Sequence, residues 1–177
     1  VERIIKNFLL FEVSDLKKEN KIIIKWLDNP AAIPPQKLNL PTMNSRVNIW
    51  GVIDRIDIYN NRYRIIDYKT GNFNSKEIQC ADISEIKVKP KLLQLLLYAL
   101  LFKKNNKGLE NPILAGIINL RTNNFQFHAC SINKIINIDE ERLNVFEAEL
   151  GGIILDICNP DIPFKDHIKD DDCRFCN

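Results

Sequence analysis

The chain reads as an α/β domain with a central mixed β-sheet flanked by helices. Three observations predict this class. Apolar runs of strand length are separated by polar turns, other stretches carry helical periodicity, and the two alternate as helix, hairpin, helix, hairpin and helix. The 177 residues are 45% hydrophobic, enough for one domain, 1–177, with a sizeable core. The chain opens on Val1 rather than Met and ends at Asn177, one residue past a Cys-x-x-Cys, so the reading is a C-terminal piece of a longer protein.

Val1–Asn20 is an amphipathic helix by its stripe of Ile4, Ile5, Phe8, Leu9 and Phe11. Lys21–Leu27 is a short apolar run that suits strand or helix. Asn29–Met43 holds Pro30, Pro34, Pro35 and Pro41 and reads as a loop. Val47–Tyr59 and Arg62–Lys69 are rich in Ile, Val and Tyr and read as paired strands. Thr70-Gly71-Asn72 ends the pair, and Phe73–Pro90 is polar and mixed. Lys87, Lys89 and Lys91 read as a solvated edge, with phosphate contact as the alternative. Lys91–Lys104 is a helix apolar almost all round, hence buried on most sides. After the loop Asn105–Asn111, Pro112–Arg121 and Asn124–Cys130 form a second hairpin around Thr122-Asn123. Asp139 caps a helix running to about Ile157, with Leu143, Phe146, Leu150, Ile153, Ile154 and Ile157 on its stripe.

Composition narrows the function. The 25 basic and 23 acidic residues leave a formal net charge of +2, so any polyanion contact must come from a local patch. No run approaches the roughly 18 apolar residues of a membrane helix, and no signal peptide is visible. Five cysteines, an odd number, fit a reducing compartment, and the expected location is cytoplasmic. Cys80, Cys130 and Cys158 read as small core residues. His128 and His167 stand alone and read as structural or surface groups.

The first hairpin carries the chemistry. If Asn60 and Asn61 are its two loop residues, Tyr59 faces Arg62 and every opposed pair sums to 121. Asp54 then faces Asp67, and alternation puts Lys69 on the same side. That side also holds Trp50, Val52, Ile56 and Ile58, so it reads as buried. Opposed carboxylates at about 4.5–5.5 Å between Cβ atoms repel. A hard divalent cation such as Mg²⁺ relieves that repulsion. The alternative is a salt-bridged surface hairpin in which Arg55, Arg62 or Arg64 neutralises the two acids.

Asp54, followed after twelve residues by Asp67-Tyr68-Lys69, resembles the D-Xn-(D/E)-X-K core of the PD-(D/E)XK nuclease superfamily. The fuller strings GVIDRID and RIIDYKTG are similar to those of the RecB/AddB-type nuclease domain. Gln94 and Tyr98 match that branch's Q-x-x-x-Y motif, and Cys173-Arg174-Phe175-Cys176 resembles its cysteine-bearing C-terminus. The resemblance implies a restriction-endonuclease-like core and a Mg²⁺- or Mn²⁺-dependent deoxyribonuclease. It implies that Asp54, Asp67 and the Tyr68 carbonyl hold the metal, that Lys69 is catalytic, and that Gln94 and Tyr98 position the strand.

The same resemblance implies DNA as partner and exonuclease work beside a helicase domain or subunit in repair. The branch also uses an acidic residue or His upstream of the core, for which Asp28 and Glu12 are the candidates here. Members that bind a [4Fe–4S] cluster use one upstream cysteine and three near the C-terminus. Only Cys173 and Cys176 match, so the expectation is a cluster in a longer protein and no complete iron or zinc site here. The alternative function is a catalytically silent DNA-binding or scaffolding module.

Overall fold

A computed structural model describes residues 2–28, 33–39, 46–122 and 125–163. The chain starts with helix α1 (Glu2–Leu16) and strand β1 (Ile22–Leu27). Strand β2 (Gln36–Asn39) pairs antiparallel with β3 (Arg46–Ile49), apart from the main sheet. The hairpin of β4 (Arg55–Tyr59) and β5 (Arg62–Lys69) follows. After β6 (Gln79–Cys80) come helix α2 (Pro90–Asn105) and strands β7 (Leu114–Asn119), β8 (Phe127–Ala129) and β9 (Ser131–Ile132). Helix α3 (Glu140–Cys158) follows them. The main sheet runs β1-β4-β5-β7-β8. It is mixed because α2 carries the chain across to lay β7 parallel to β5, while the other pairs are antiparallel.

Helix α2 organises the larger core. Pro90 sits in its first turn, where the missing N–H costs nothing. Leu92, Leu95, Leu96, Ala99, Leu101 and Phe102 are all buried, so the helix lies between the sheet and α3. The Phe102 ring meets Tyr63 at 5.3 Å and Trp26 at 5.9 Å between centroids. Asp139 caps α3 by accepting the Arg142 N–H at 2.9 Å, and Leu143, Phe146 and Leu150 fill the space behind it. On the opposite sheet face, Ile66, Ile118 and Phe125 form a smaller core closed by Phe8 of α1. Gly116 in β7 has no room for a side chain, because a Cβ would lie 2.3 Å from the His128 carbonyl oxygen.

Several expectations need correction. The run from Val47 to Tyr59 is two strands, not one, and residues 50–54 between them are outside any ladder. The proline-rich stretch holds β2, whose partner lies ten residues ahead of its first residue in sequence, out of reach of any local pattern. The polar stretch after the hairpin forms two 3₁₀ turns, Ser75–Ile78 and Ile83–Val88, each with a complete capping box and one buried isoleucine. Lys87, Lys89 and Lys91 each pair with an acid, namely Asp156, Glu85 and Glu77. Cys80 and Cys130 are core residues, but Cys158 is exposed at the last residue of α3. His128 packs its ring on Phe73. His167, Cys173 and Cys176 lie outside the described residues.

Helix α1 is amphipathic in an unexpected sense. It turns Phe8, Glu12 and Asp15 toward the sheet and leaves Ile5, Leu9, Leu10, Val13 and Leu16 exposed. Glu12 faces inward to the buried Arg55 guanidinium, beside Phe8 and Phe11 on Phe125, while the rest of the apolar stripe lies on the exposed side of the helix.

Two tests follow from this packing. Phe102→Ala empties the contact between α2 and the sheet and is expected to cost about 3–5 kcal/mol in urea unfolding. Ile24→Ala on the exposed side of β1 is expected to stay within about 0.5 kcal/mol. Burial pushes the Cys130 thiol up to about 12 and raises that of Cys80. Iodoacetamide at pH 8, read by peptide mass mapping, should therefore label Cys158 in the native protein and reach Cys80 and Cys130 only after unfolding.

Candidate active site

The site begins at the turn. Asn60 and Asn61 both take left-handed backbone, with φ of 47° and 66°, which is the conformation a two-residue hairpin loop of matching twist requires. The turn sets the register: Tyr59 faces Arg62, Asp57 faces Arg64 and Arg55 faces Ile66. Asp54 lies just ahead of β4, outside the ladder. Asp54 Oδ2 accepts the Tyr68 N–H at 2.7 Å, which ties its carboxylate to the β5 backbone beside Asp67. The Asp54 carbonyl in turn accepts the Asp28 N–H at 2.9 Å, so β1 ends against the same bend.

Asp67 is the centre of the arrangement. It is 3% exposed, and burial pushes its carboxyl above the ordinary carboxylate value. Lys69 pulls in the opposite direction, and the charge on Asp54 adds to the rise. Lys69 Nζ lies 2.8 Å from Asp67 Oδ2 as an ion pair, but that oxygen receives no aligned hydrogen bond among the described residues. The same ammonium donates to Gln94 Oε1 at 3.2 Å, and Gln94 Nε2 donates to the Tyr98 hydroxyl at 2.9 Å. Gln94 and Tyr98 are one turn apart on α2, so they share the face that meets the sheet. Asp67, Lys69, Gln94 and Tyr98 thus form one continuous chain of contacts. Gly51 closes it on the far side: a Cβ there would lie 2.9 Å from the Tyr98 ring.

The hairpin arginines do not neutralise these acids. On the opposite face of the sheet, Arg55 Nε and Arg64 Nε and Nη2 all donate to Asp57 at 2.8–2.9 Å. Arg55 also reaches Glu12 at 2.6 Å and the Tyr68 hydroxyl at 3.3 Å. Arg62 bonds Asn137 instead. The salt-bridged surface hairpin is therefore not what forms. Sequence reading missed this second cluster, although the register that opposes Asp54 and Asp67 also opposes Asp57 and Arg64. Of the two upstream candidates, Glu12 is engaged by Arg55, while Asp28 lies exposed beside Asp54 through its backbone. Trp50 is also displaced from expectation: it is 70% exposed.

Among the described residues there is no group of three or more His, Cys, Asp or Glu able to hold a metal. Two carboxylates still suit Mg²⁺, which keeps several waters and takes one or two protein carboxylates plus substrate phosphate. The donor set is all oxygen, and Asp67 Oδ2 is buried without an aligned donor. The residues present fit a hard divalent cation and do not fit a thiolate-bound one.

Comparison with known proteins agrees with this geometry. A search of curated proteins found no match. The family model of the PD-(D/E)XK nuclease superfamily matches residues 9–177, a span that includes the hairpin, α2 and the site they build. With a mixed five-stranded sheet flanked by helices, the chain belongs to the PD-(D/E)XK nuclease superfamily.

Proposed function

We propose that this protein is a metal-dependent deoxyribonuclease that hydrolyses phosphodiester bonds at the β4–β5 hairpin. One observation carries the reading: a buried carboxylate, Asp67, set beside a second one and held by a single ammonium. Asp54, Asp67 and the Tyr68 carbonyl would hold Mg²⁺ or Mn²⁺. When bound, the ion supplies neutralisation of the scissile phosphate and a lower pKa for the attacking water. Lys69 is placed by Asp67 and Gln94 to stabilise charge that develops on the phosphoryl oxygens. Gln94 orients Lys69 through its oxygen and Tyr98 through its amide, so both ends of one side chain serve the site.

The proposal extends to context. The ordered set of hairpin, Gln94–Tyr98 and C-terminal cysteine motifs supports a RecB/AddB-type exonuclease working beside a helicase domain or subunit in DNA repair. In that setting Cys173 and Cys176 would join further cysteines around a [4Fe–4S] cluster. Digestion of linear against circular DNA, in single- and double-stranded form, separates exonuclease from endonuclease action.

Two outcomes test the site. Lys69→Ala and Asp67→Asn are each expected to lower cleavage by roughly 10²–10³-fold with the fold intact by circular dichroism. Wild-type rates in either variant would remove the assignment and favour a silent DNA-binding module.

The second outcome is a change in stability. The Asp67 pKa is raised in the folded state, so between its ordinary 3.8 and the raised value the folded protein binds more protons than the unfolded one. Stability is then lost as pH climbs through that window, and Asp67→Asn avoids the loss. Metal-free Asp67→Asn should melt above wild type at pH 7, by roughly 2–4 °C for each kcal/mol relieved, and lose this advantage below about pH 4. Added Mg²⁺ should raise the melting temperature of wild type and leave the variant unmoved.

A further inference from the structure

Trp50 is the most exposed aromatic residue among those described, at 70%. A tryptophan so placed leaves on the order of 100–150 Å² of ring surface in water, which folding alone gives no reason to do. Its position follows from its neighbours. Ile49 is buried at the end of β3, and Gly51 lies against the Tyr98 ring. Residues 50–54 lie outside any strand ladder, so the indole between these two packed neighbours is released to solvent. Trp50 precedes Asp54 by four residues, a reach of at most ~14 Å. Its backbone is thus within that reach of Asp54 and adjoins the glycine that lies against Tyr98.

Stacked bases need no hydrogen-bond code, only a flat exposed ring, and every unpaired base offers a face. A base inside a duplex has both faces covered by its neighbours, so such a ring selects strands whose bases are free. We propose that Trp50 is a base-stacking platform that seats an unpaired nucleotide of the substrate strand at the entrance to the Asp54–Asp67–Lys69 site. The substrate class is accordingly single-stranded DNA or a frayed, unwound end. This rests on the nuclease reading and refines it, since carboxylates, lysine and metal alone would not distinguish the two forms of DNA.

The test uses the whole chain. Binding of a fluorescent oligo(dT) is measured by anisotropy in EDTA, and cleavage of the same oligonucleotide and of a blunt duplex in Mg²⁺. Trp50→Ala is expected to weaken oligo(dT) binding and raise its KM about tenfold, with kcat little changed and the duplex shifted less than twofold. Trp50→Phe and Trp50→Tyr should restore most of the loss. A scan of single abasic sugars along the oligonucleotide should find one position that costs wild type about as much as Trp50→Ala does and costs the variant nothing more.

Unchanged oligo(dT) binding in Trp50→Ala would overturn the proposal. So would an equal loss on the blunt duplex, or abasic and Trp50 effects that simply add. The anisotropy needs no cleavage, so a wild-type protein that binds but cuts no DNA would fail the nuclease reading while the stacking result stands by itself.

Discussion

The structure depends on the register of one hairpin. Asn60 and Asn61 accept left-handed backbone at little cost, close β4 onto β5 in two residues, and so decide which side chains share a face. A slip of one residue would exchange the faces. Asp67 and Lys69 would then point at α1, and Arg64 and Tyr68 at α2. The buried acid would lose Lys69 and Gln94, and the buried arginines would lose Asp57. Both sides penalise the slip, which makes the turn a strong determinant although it is exposed.

The sheet separates two kinds of charge. On the α2 face, Asp67 is buried with an ion pair to Lys69 and with Asp54 close by, an arrangement in which anion exceeds cation. On the α1 face, Asp57 is fully buried between two arginines, and Glu12 completes a balanced set. Buried ions cost several kcal/mol each unless geometry and hydrogen bonds compensate, and only the second cluster balances its charges within the protein, although Arg55 Nη2 there, like Asp67 Oδ2 on the first face, is buried with an ion pair and no aligned hydrogen bond. The imbalance on the first face is what a divalent cation and a phosphate could use. Tyr68 joins the two faces: its hydroxyl accepts from Arg55, and its N–H donates to Asp54.

The break between β3 and β4 belongs to the same logic. Residues 50–54 leave the ladder because they have other obligations: Gly51 yields space to Tyr98, and Asp54 turns its carboxylate to the Tyr68 N–H and its carbonyl to Asp28. A regular strand through this stretch would place Trp50 and Val52 on the core face, as alternation alone suggests. Leaving the strand is what frees Trp50 to solvent and lets Asp54 approach β5 from its end.

Much of this protein was determined by the sequence alone. Paired Asn residues between two β-branched runs imply the turn, the turn implies the register, and period-two alternation then puts Asp67 and Lys69 on one face. All three are local rules. The apolar circumference of α2 and the cap at Asp139 are local as well. Only the tertiary structure decided which partner each face received. Glu12 turns inward to accept from the buried guanidinium of Arg55, 43 residues away. The strand within the proline-rich stretch exists because Arg46–Ile49 pairs with it, and Cys158 is exposed because the core behind α3 ends before the helix does. Hydrophobic periodicity records which side chains avoid water, but not what covers them. That is why Lys69 could be assigned a face from sequence, while its contact with Gln94 and the exposure of Trp50 required the folded chain.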